Sequence, residues 1–213
     1  MSAPKNLAEH AGIQDEFLKS ELEPRLRQAR AGKRQVYYVD AAHFVLGSHY
    51  GWVWAALAVY LKAAAGRQRY SVLGAWDAAR NTLLTVTTEA TVTAATVLEL
   101  LATVARAGIG VPITLALDNA RYQHCAAVRA RAADLGIELL FLPGYSPNLN
   151  LIERLWGFVK KRALRGRYHA DFTTFKTAIN QCLAQIPTTH RGTLQTLMTH
   201  HFQSFANLSL HAA

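Results

Sequence analysis

The sequence has few cysteines, few charged residues and no long apolar run, and each shortage excludes a class of protein. The only two cysteines, Cys125 and Cys182, form neither a CxxC pair nor a disulfide framework, which predicts reduced thiols in a cytosolic protein. The N-terminus has no apolar signal segment. The longest apolar stretch, residues 52–61, is too short to span a bilayer, so we expect no membrane partner.

Charge is scarce and strongly biased towards basic residues. Charged residues make up 17% of the 213 residues, against about 25% in a typical protein. There are 23 Lys and Arg but 14 Asp and Glu, which gives a net charge of +9. A basic surface favours nucleic acid because phosphate contacts release counterions, although a merely soluble basic protein has the same composition. The length and the hydrophobic share of 51% allow one well-buried domain.

The order of apolar runs predicts an α/β fold. A strand at 36–39 is followed by a hairpin formed by 69–78 and 82–88, and helices then alternate with apolar strands at 111–118 and 137–142. This alternation requires a mixed β-sheet flanked by helices on both faces. A hairpin that leads into parallel strands is the plan of a ribonuclease-H-like fold.

Helices are predicted where apolar residues recur at helical spacing. They cover 15–31 with a kink or restart at Pro24, 91–108, 121–134, a stretch from Leu151, 172–186 behind an Asp171 cap, and about 190–205. Residues 44–62 carry no clean pattern of either kind.

Three acidic residues lie where an α/β fold forms its sites. Asp40 and Asp118 directly follow apolar strands, and Glu153 lies in the first turn of a helix. Three converging carboxylates repel one another unless cations neutralise them, and oxygen ligands select Mg²⁺ or Mn²⁺. Two such ions can activate a water or a 3′-hydroxyl for phosphoryl displacement. Taken singly, Asp118 could instead cap a helix, and Glu153 could simply favour the helix dipole.

Three segments around these acids resemble the catalytic blocks of DDE transposases. They are VDAAHF at 39–44, LDNARYQH at 117–124 and LPGYSPNLNLIERLWGFVKK at 142–161. The resemblance is to the bacterial insertion-sequence branch of the mariner-like superfamily, in which 34 residues typically separate the second and third acids. The same number separates Asp118 from Glu153 here.

The resemblance covers about residues 15–205 and implies a role for each acid. Asp40 would bridge two metal ions, Asp118 would bind one and Glu153 the other. The implied reaction is hydrolysis at transposon ends, followed by attack of the freed 3′-hydroxyl on target DNA. Two alternatives are another ribonuclease-H-like nuclease and an inactive or partner-dependent DNA-binding remnant of a transposase.

Residues near the acids are candidates for contacts with double-stranded DNA. They are Asn119, Arg121, Tyr145, Ser146, Lys160, Lys161, Arg162 and Arg165. Lys160 falls two turns beyond Glu153 on the same side of the helix, so both would face the same DNA. The alternatives are a solvated basic helix end for the cations and turn formation for the loop residues. Trp52, Trp54 and Trp76 could stack on unpaired bases, but core packing is the better explanation for each.

The chain divides into three predicted parts: an N-terminal helical linker segment, 1–35, a catalytic domain, 36–205, and a C-terminal tail, 206–213. Relatives usually carry N-terminal helix-turn-helix domains, for which residues 1–35 are too short. We therefore expect a separate helix-turn-helix polypeptide, a truncated chain or a remnant. A homodimer is the expected assembly, and the bacterial cytoplasm, on the nucleoid when DNA is bound, is the expected location.

Overall fold

A five-stranded mixed sheet forms the centre of the computed structural model, which describes residues 7–47, 68–144 and 146–199, with side chains from residue 11 onward. The strand order is β3-β2-β1-β4-β5. The strands are β1 Gln35–Val45, β2 Arg69–Asp77, β3 Leu83–Thr88, β4 Ile113–Leu117 and β5 Ile137–Phe141. β1, β2 and β3 pair antiparallel, whereas β1, β4 and β5 are parallel, as the order of apolar runs predicts.

Seven helices are described around this sheet. They are α1 Leu7–Phe17, α2 Glu23–Arg30, α3 Ala94–Arg106, α4 Ala126–Asp134, α5 Ile152–Val159, α6 Phe172–Ala184 and α7 Arg191–Leu197. Two π-helical turns, Leu18–Leu22 and Lys160–Leu164, follow α1 and α5 directly. Short 3-10 turns cover Arg121–Gln123 and Pro147–Leu149. No described helix is long and apolar enough to cross a membrane.

Side chains alternate between the two faces of the sheet and build one core on each face. Tyr38 and Trp76 pack with α2, α5 and α6, and this side is called the α5 face. Tyr37 and Leu115 pack with α3 and α4 on the opposite face. The helices therefore cover both faces, which confirms the predicted layer arrangement. Trp76 is fully buried and belongs to the core, whereas Trp52 and Trp54 lie outside the described residues.

Local signals fix several element ends, and the Asp171 cap and the hairpin are confirmed. The Asp171 carboxylate caps α6 by accepting a hydrogen bond of 2.7 Å from the Thr174 backbone N–H. The hairpin turn is fixed by Asp77, whose Oδ1 accepts from the backbone of Ala79 and Arg80. Gly32 ends α2 with a φ of +70°, a conformation that favours glycine.

The first strand differs from its prediction. β1 extends to Val45, so Asp40 lies within the strand rather than at its end. The reason is the length of the neighbouring strand: β2 pairs with β1 as far as Val45, although the parallel pairing with β4 stops at Val39. Asp40 is therefore the first residue beyond the β4 pairing.

Two helix predictions also need correction. The first helix begins at Leu7 instead of residue 15. A π-helical turn ends just before α2, and Pro24 lies in the first turn of α2, where a backbone N–H would have no helical partner. The last helix, α7, ends at Leu197, and Met198 and Thr199 are not helical. The part of that prediction beyond Thr199 lies outside the described residues.

Candidate active site

The sheet places Asp40 and Asp118 side by side. Val39 and Leu117 are the last partners in the parallel ladder between β1 and β4, so the next residues on both strands are neighbours. Alternation directs both carboxylates to the α5 face, because Tyr38 and Ala116, two residues before them, belong to that core. Their proximity therefore follows from the register of two strands far apart in sequence.

Glu153 reaches the same place because the loop before α5 is anchored to β1. The Asn150 side chain donates through Nδ2 to the carbonyl of Val39 at 3.1 Å, directly before Asp40. The Glu153 backbone N–H donates in turn to the Asn150 carbonyl at 3.2 Å. α5 then packs on β1 and β2 through the buried side chains of Ile152 and Trp156. Glu153 stays exposed at the open end of this arrangement.

The pKa values indicate that the three acids share one electrostatic environment. The pKa of Asp40 is raised to about 7, chiefly by burial and then by the negative charges of Asp118 and Glu153. Burial also raises the pKa of Glu153, with a contribution from Asp118, while the cation of Lys160 lowers it. Asp118 is exposed at the surface, but partial burial of its carboxyl still raises its pKa.

Two polar side chains hold the second acid and its loop. The fully buried Gln123 donates through Nε2 to Asp118 Oδ1 at 2.7 Å. The Asn119 amide donates to the carbonyl of Leu142, which connects the ends of β4 and β5. Neither this role of Gln123 nor that of Asn150 follows from the sequence, although both residues lie inside the segments that resemble catalytic blocks.

The chemistry of the three acids suits a hard divalent cation. All three offer carboxylate oxygens, and a cation between them would relieve the repulsion that raises the pKa of Asp40. Within the described residues, no group of three or more His, Cys, Asp or Glu side chains already has the spacing of a metal site. The carboxylate oxygens are therefore the ligand type that Mg²⁺ or Mn²⁺ prefers. The three carboxylates lie near one another but are not arranged around a common metal position.

The predicted DNA contacts fall into separate places. Arg121 is exposed on a 3-10 turn after Asp118, and the Asn119 amide is engaged with Leu142. Ser146 is only 6% exposed and its hydroxyl donates to the Gly144 carbonyl, so its burial argues against the predicted DNA contact. Tyr145 lies outside the described residues.

The remaining predicted contacts lie on the π-helical turn after α5. Lys160 is exposed near Glu153, whereas Lys161, Arg162 and Arg165 line a cavity of about 660 Å³. This cavity is called the basic groove. Its other lining residues are Arg154, Gly157, Phe158, Arg167, Thr193 and Leu197, so none of the described residues that line it is Asp or Glu.

Three cations of the basic groove have no carboxylate partner among the described residues. In the part of the chain that the structure describes, Lys161, Arg162 and Arg165 take part in no ion pair. The Arg162 guanidinium instead lies over the Phe158 ring, 5.6 Å from its centroid. Concentrated and unpaired positive charge of this kind favours a polyanion.

Comparison with protein families matches residues 35–176 to the DDE superfamily endonucleases. The matched region contains Asp40, Asp118 and Glu153 and makes up about two thirds of the chain. The chain belongs to the DDE superfamily endonucleases. DDE endonucleases use divalent metal ions, which agrees with the donor set of this site. No curated protein matches the sequence significantly.

Solved structures place this DDE endonuclease in the ribonuclease-H-like fold that the sequence predicts. The Mos1 transposase paired-end complex with left transposon end has a TM-score of 0.63 at 17% identity, covering 95% of this chain and 66% of that chain. The Mos1 mariner paired-end complex with Mn has the same TM-score and identity, covering 93% and 63%. The catalytic domain of Mos1 mariner transposase has a TM-score of 0.60 at 15% identity, covering 93% and 99%.

The coverage defines how far this likeness extends. The chain spans slightly less than two thirds of the Mos1 chains in the paired-end complexes, but nearly all of the Mos1 catalytic domain. At these identities the likeness shows the fold. The narrower assignment to the bacterial insertion-sequence branch stays a prediction.

Proposed function

We propose that this DDE endonuclease is a transposase catalytic domain that cuts DNA at transposon ends and joins the freed 3′-hydroxyl ends to target DNA. The observation that carries the proposal is the position of Asp40, Asp118 and Glu153 on one open end of the α5 face. Their mutual influence on pKa supports a shared site for cations. Family membership supports phosphodiester cleavage, and the fold shared with the Mos1 catalytic domain supports transposition.

Each acid takes a role that follows from its place. Asp40 lies beside Asp118 on the sheet and feels the charge of Glu153, so it would contact both metal ions, while Asp118 and Glu153 would each hold one. Two Mg²⁺ or Mn²⁺ ions would supply an activated water or 3′-hydroxyl and stabilise the leaving oxygen. Gln123 fixes the orientation of Asp118 through its 2.7 Å hydrogen bond. Lys160, near Glu153, would bind a phosphate of the reacting strand.

The basic groove would hold the backbone of the same DNA beside the active site. Arg154 and Phe158 follow Glu153 by one and five residues, which places them about a quarter turn or more around the helix. A duplex bound at Glu153 would continue along this side of α5 and contact Lys161, Arg162 and Arg165. Arg121, exposed after Asp118, would contact DNA from the other side of the acids.

The wider assembly follows from the same proposal. Residues 36–205 would form the catalytic domain, with 1–35 as a linker segment and 206–213 as a tail that lies outside the described residues. Two copies would act on a pair of transposon ends, and a separate helix-turn-helix polypeptide would read the end sequence. The protein would work in the bacterial cytoplasm, on the nucleoid when bound to DNA.

Mn²⁺-dependent nicking of supercoiled plasmid tests the proposed chemistry. The intact chain should nick at low salt, where DNA binding is strongest, and EDTA or Asp118→Asn should abolish nicking. Asp134→Asn is the matched control, because it removes the same charge at the end of α4. Nicking that survives Asp118→Asn would overturn the site assignment. If the intact chain does not nick with Mn²⁺, the proposed activity of the chain alone is wrong, and a DNA-binding remnant becomes the better account.

Strand joining separates a transposase from another ribonuclease-H-like nuclease. A duplex with an exposed 3′-hydroxyl end should become covalently joined to plasmid in the presence of Mn²⁺. Cleavage without any joined product would favour the other nuclease.

Salt dependence tests the basic groove independently of chemistry. Arg162→Ala with Arg165→Ala should weaken duplex binding and reduce the slope of log affinity against log salt by about 1 for each phosphate that the variant no longer binds. Arg106→Ala with Arg131→Ala is the control, because these exposed arginines lie on α3 and α4 on the opposite face. If the slope of log affinity against log salt is unchanged in the groove variant, the basic groove does not bind the DNA backbone.

A further inference from the structure

Trp156 is a buried side chain whose polar atom has no partner. It lies on α5, is 4% exposed, and packs edge-on against Phe44 with ring centroids 6.4 Å apart. Its indole nitrogen is buried without a hydrogen bond to any described residue. An unpaired buried N–H is costly, so such an atom in a native protein calls for a physical explanation.

The ring lies beside Asp40 because the opposite residue is a glycine. Gly74 on β2 is the direct partner of Asp40 on β1, and both side-chain positions point to the α5 face. A Cβ added to Gly74 would be 2.7 Å from the Trp156 atoms Cη2 and Cζ2 and 3.0 Å from Ile152 Cδ1. The indole therefore occupies the space where a side chain opposite Asp40 would otherwise be.

We propose that the indole N–H of Trp156 is the donor that orients the Asp40 carboxylate, and that Gly74 is needed to admit the ring. Trp156 is then a positioning residue, acting through Asp40. The inference takes from the proposed function only the role of Asp40 as a metal ligand. The indole nitrogen has no hydrogen-bond partner within the described part of the chain. A rotation of the Asp40 carboxylate about χ2, a torsion with a broad energy minimum, would form the hydrogen bond from the indole N–H.

The electrostatics of Asp40 agree with this placement. Burial and the neighbouring acids raise the pKa of Asp40, and the Trp156 indole is one of the groups that lower it. An indole N–H is a donor only and carries its proton at every working pH, so it can hold one carboxylate oxygen while the other lone pairs remain open to cations. Partners of metal ligands commonly change metal affinity or activity by about 10- to 100-fold when removed.

The indole N–H signals of the metal-free protein test the contact without any activity. The chain has four tryptophans, and Trp156→Phe and Trp76→Phe each identify one signal by its loss in an ¹H–¹⁵N spectrum. Asp40→Asn should move the Trp156 signal upfield and speed its exchange with solvent. Trp76 is the internal control, because its indole nitrogen is also buried and unpaired. A Trp156 signal that moves no more than that of Trp76 would overturn the proposal.

Plasmid nicking as a function of Mn²⁺ then tests the consequence. Trp156→Phe keeps an aromatic ring and removes the N–H, so the Mn²⁺ concentration for half-maximal nicking should rise about tenfold. Trp76→Phe makes the same chemical change on β2 and should leave the Mn²⁺ dependence unchanged. Equal Mn²⁺ dependence in both variants would contradict the role of Trp156. If the unmodified chain does not nick, the proposed function fails, while the spectroscopic result still decides this inference.

A double-mutant cycle tests the part played by Gly74. Gly74→Ala alone should displace the indole and raise the Mn²⁺ requirement, because the added methyl group has no room. In the Trp156→Phe background the same substitution should have a much smaller effect, since the N–H is already absent and the ring is smaller. Additive effects of the two substitutions would show that Gly74 acts independently of Trp156. If Gly74→Ala does not fold, the comparison of Trp156→Phe with Trp76→Phe still decides the proposal.

Discussion

The α5 face of the sheet carries acidic residues at both ends, and the two ends treat them in opposite ways. Glu138 lies on β5 near the start of the parallel strands, where Arg25 binds one of its oxygens at 2.6 Å and Arg34 the other at 2.8 Å. The Thr114 hydroxyl also donates to it, at 2.7 Å. Asp40 lies at the other end, where its neighbours are the carboxylates of Asp118 and Glu153.

The pKa values express this contrast. The hydrogen bond from Arg25 is the main reason that the pKa of Glu138 is lowered to about 2, whereas burial is the main reason that the pKa of Asp40 is raised to about 7. Glu138 joins the N-terminal helices to the sheet and is satisfied by the protein alone. Asp40 is left with a charge that the protein does not neutralise. An unneutralised acid at the open end of parallel strands is the mark of a functional site.

The largest expected effect is on catalysis and should separate the two acids completely. Asp40→Asn should reduce Mn²⁺-dependent nicking by more than about a hundredfold. Loss of a residue that only supports a metal ligand can already reduce activity by about that factor, and Asp40 would be a ligand itself. Glu138→Gln should leave the nicking rate within a few-fold of the unmodified chain. Plasmid nicking under identical conditions measures both. A comparable loss in the two variants would mean that the Asp40 effect is structural.

The next effect is on stability and has the opposite sign from an ordinary core mutation. The folded pKa of Asp40 is raised from 3.8 to about 7, so the metal-free protein loses stability as pH rises through this window. Asp40→Asn removes the loss and should increase the free energy of unfolding at pH 8 by roughly 2 to 4 kcal/mol. Urea unfolding in EDTA measures it, and the two proteins should converge near pH 4.

Magnesium provides the control for that stability change. Mg²⁺ should stabilise the unmodified protein at pH 8 and have little effect on Asp40→Asn, because a ligand that binds only the folded state shifts unfolding. Asp134→Asn, which removes the same charge on α4, should respond to Mg²⁺ like the unmodified chain. A Mg²⁺ response that is unchanged in Asp40→Asn would mean that the ion binds elsewhere.

A smaller effect is expected at the residue that orients Asp118. Gln123→Met keeps a similar volume and removes the donor to Asp118, so nicking should fall by about tenfold. The loss should be larger at low Mn²⁺ concentration than at saturation, because the misoriented ligand weakens metal binding. An equal loss of nicking at all Mn²⁺ concentrations would mean that Gln123 supports the fold rather than metal binding. In that case the Gln123→Met variant should also unfold at a lower temperature.

The smallest effect is the stability that Glu138 contributes. Its folded pKa lies below the ordinary value of 4.5, so its contribution is present above that pH and is lost as pH falls towards 2. Glu138→Gln should lower the free energy of unfolding at pH 7 by about 1 kcal/mol, a modest value because the side chain is 37% exposed and water screens the pair. Urea unfolding at pH 7 and pH 3 should show the deficit shrinking at the lower pH.

Short-range patterns predicted most of the frame that holds the site. The continuous apolar run of β4 and the acid directly after it are explicit in the sequence. Ile152, Leu155, Trp156, Val159 and Ala163 recur at helical spacing in the sequence, and all five are buried. The β4 strand, its terminal acid and the apolar face of α5 could be predicted because each depends on residue spacing within one element. The family assignment is confirmed for the same reason, since its motifs are contiguous blocks.

Long-range partners account for what the sequence did not reveal. The length of β1 depends on β2, which pairs with it beyond the end of β4. Glu138 and Arg25 are 113 positions apart, so nothing local predicts that they meet. Gln123 and Asn150 are ordinary polar residues in the sequence, and only the tertiary fold buries them against Asp118 and the Val39 carbonyl.

The register between β1 and β4 has a consequence for which insertions and deletions the chain can tolerate. Removing one residue between Ile113 and Leu117 would turn Asp118 to the face of α3 and α4, because successive strand residues point to opposite sides. Residues 107–112 form the turn before β4, so a change in their number does not alter which face of the sheet Asp118 occupies. Length variation among homologues should therefore collect in that turn, while the count of residues from Ile113 to Asp118 stays constant.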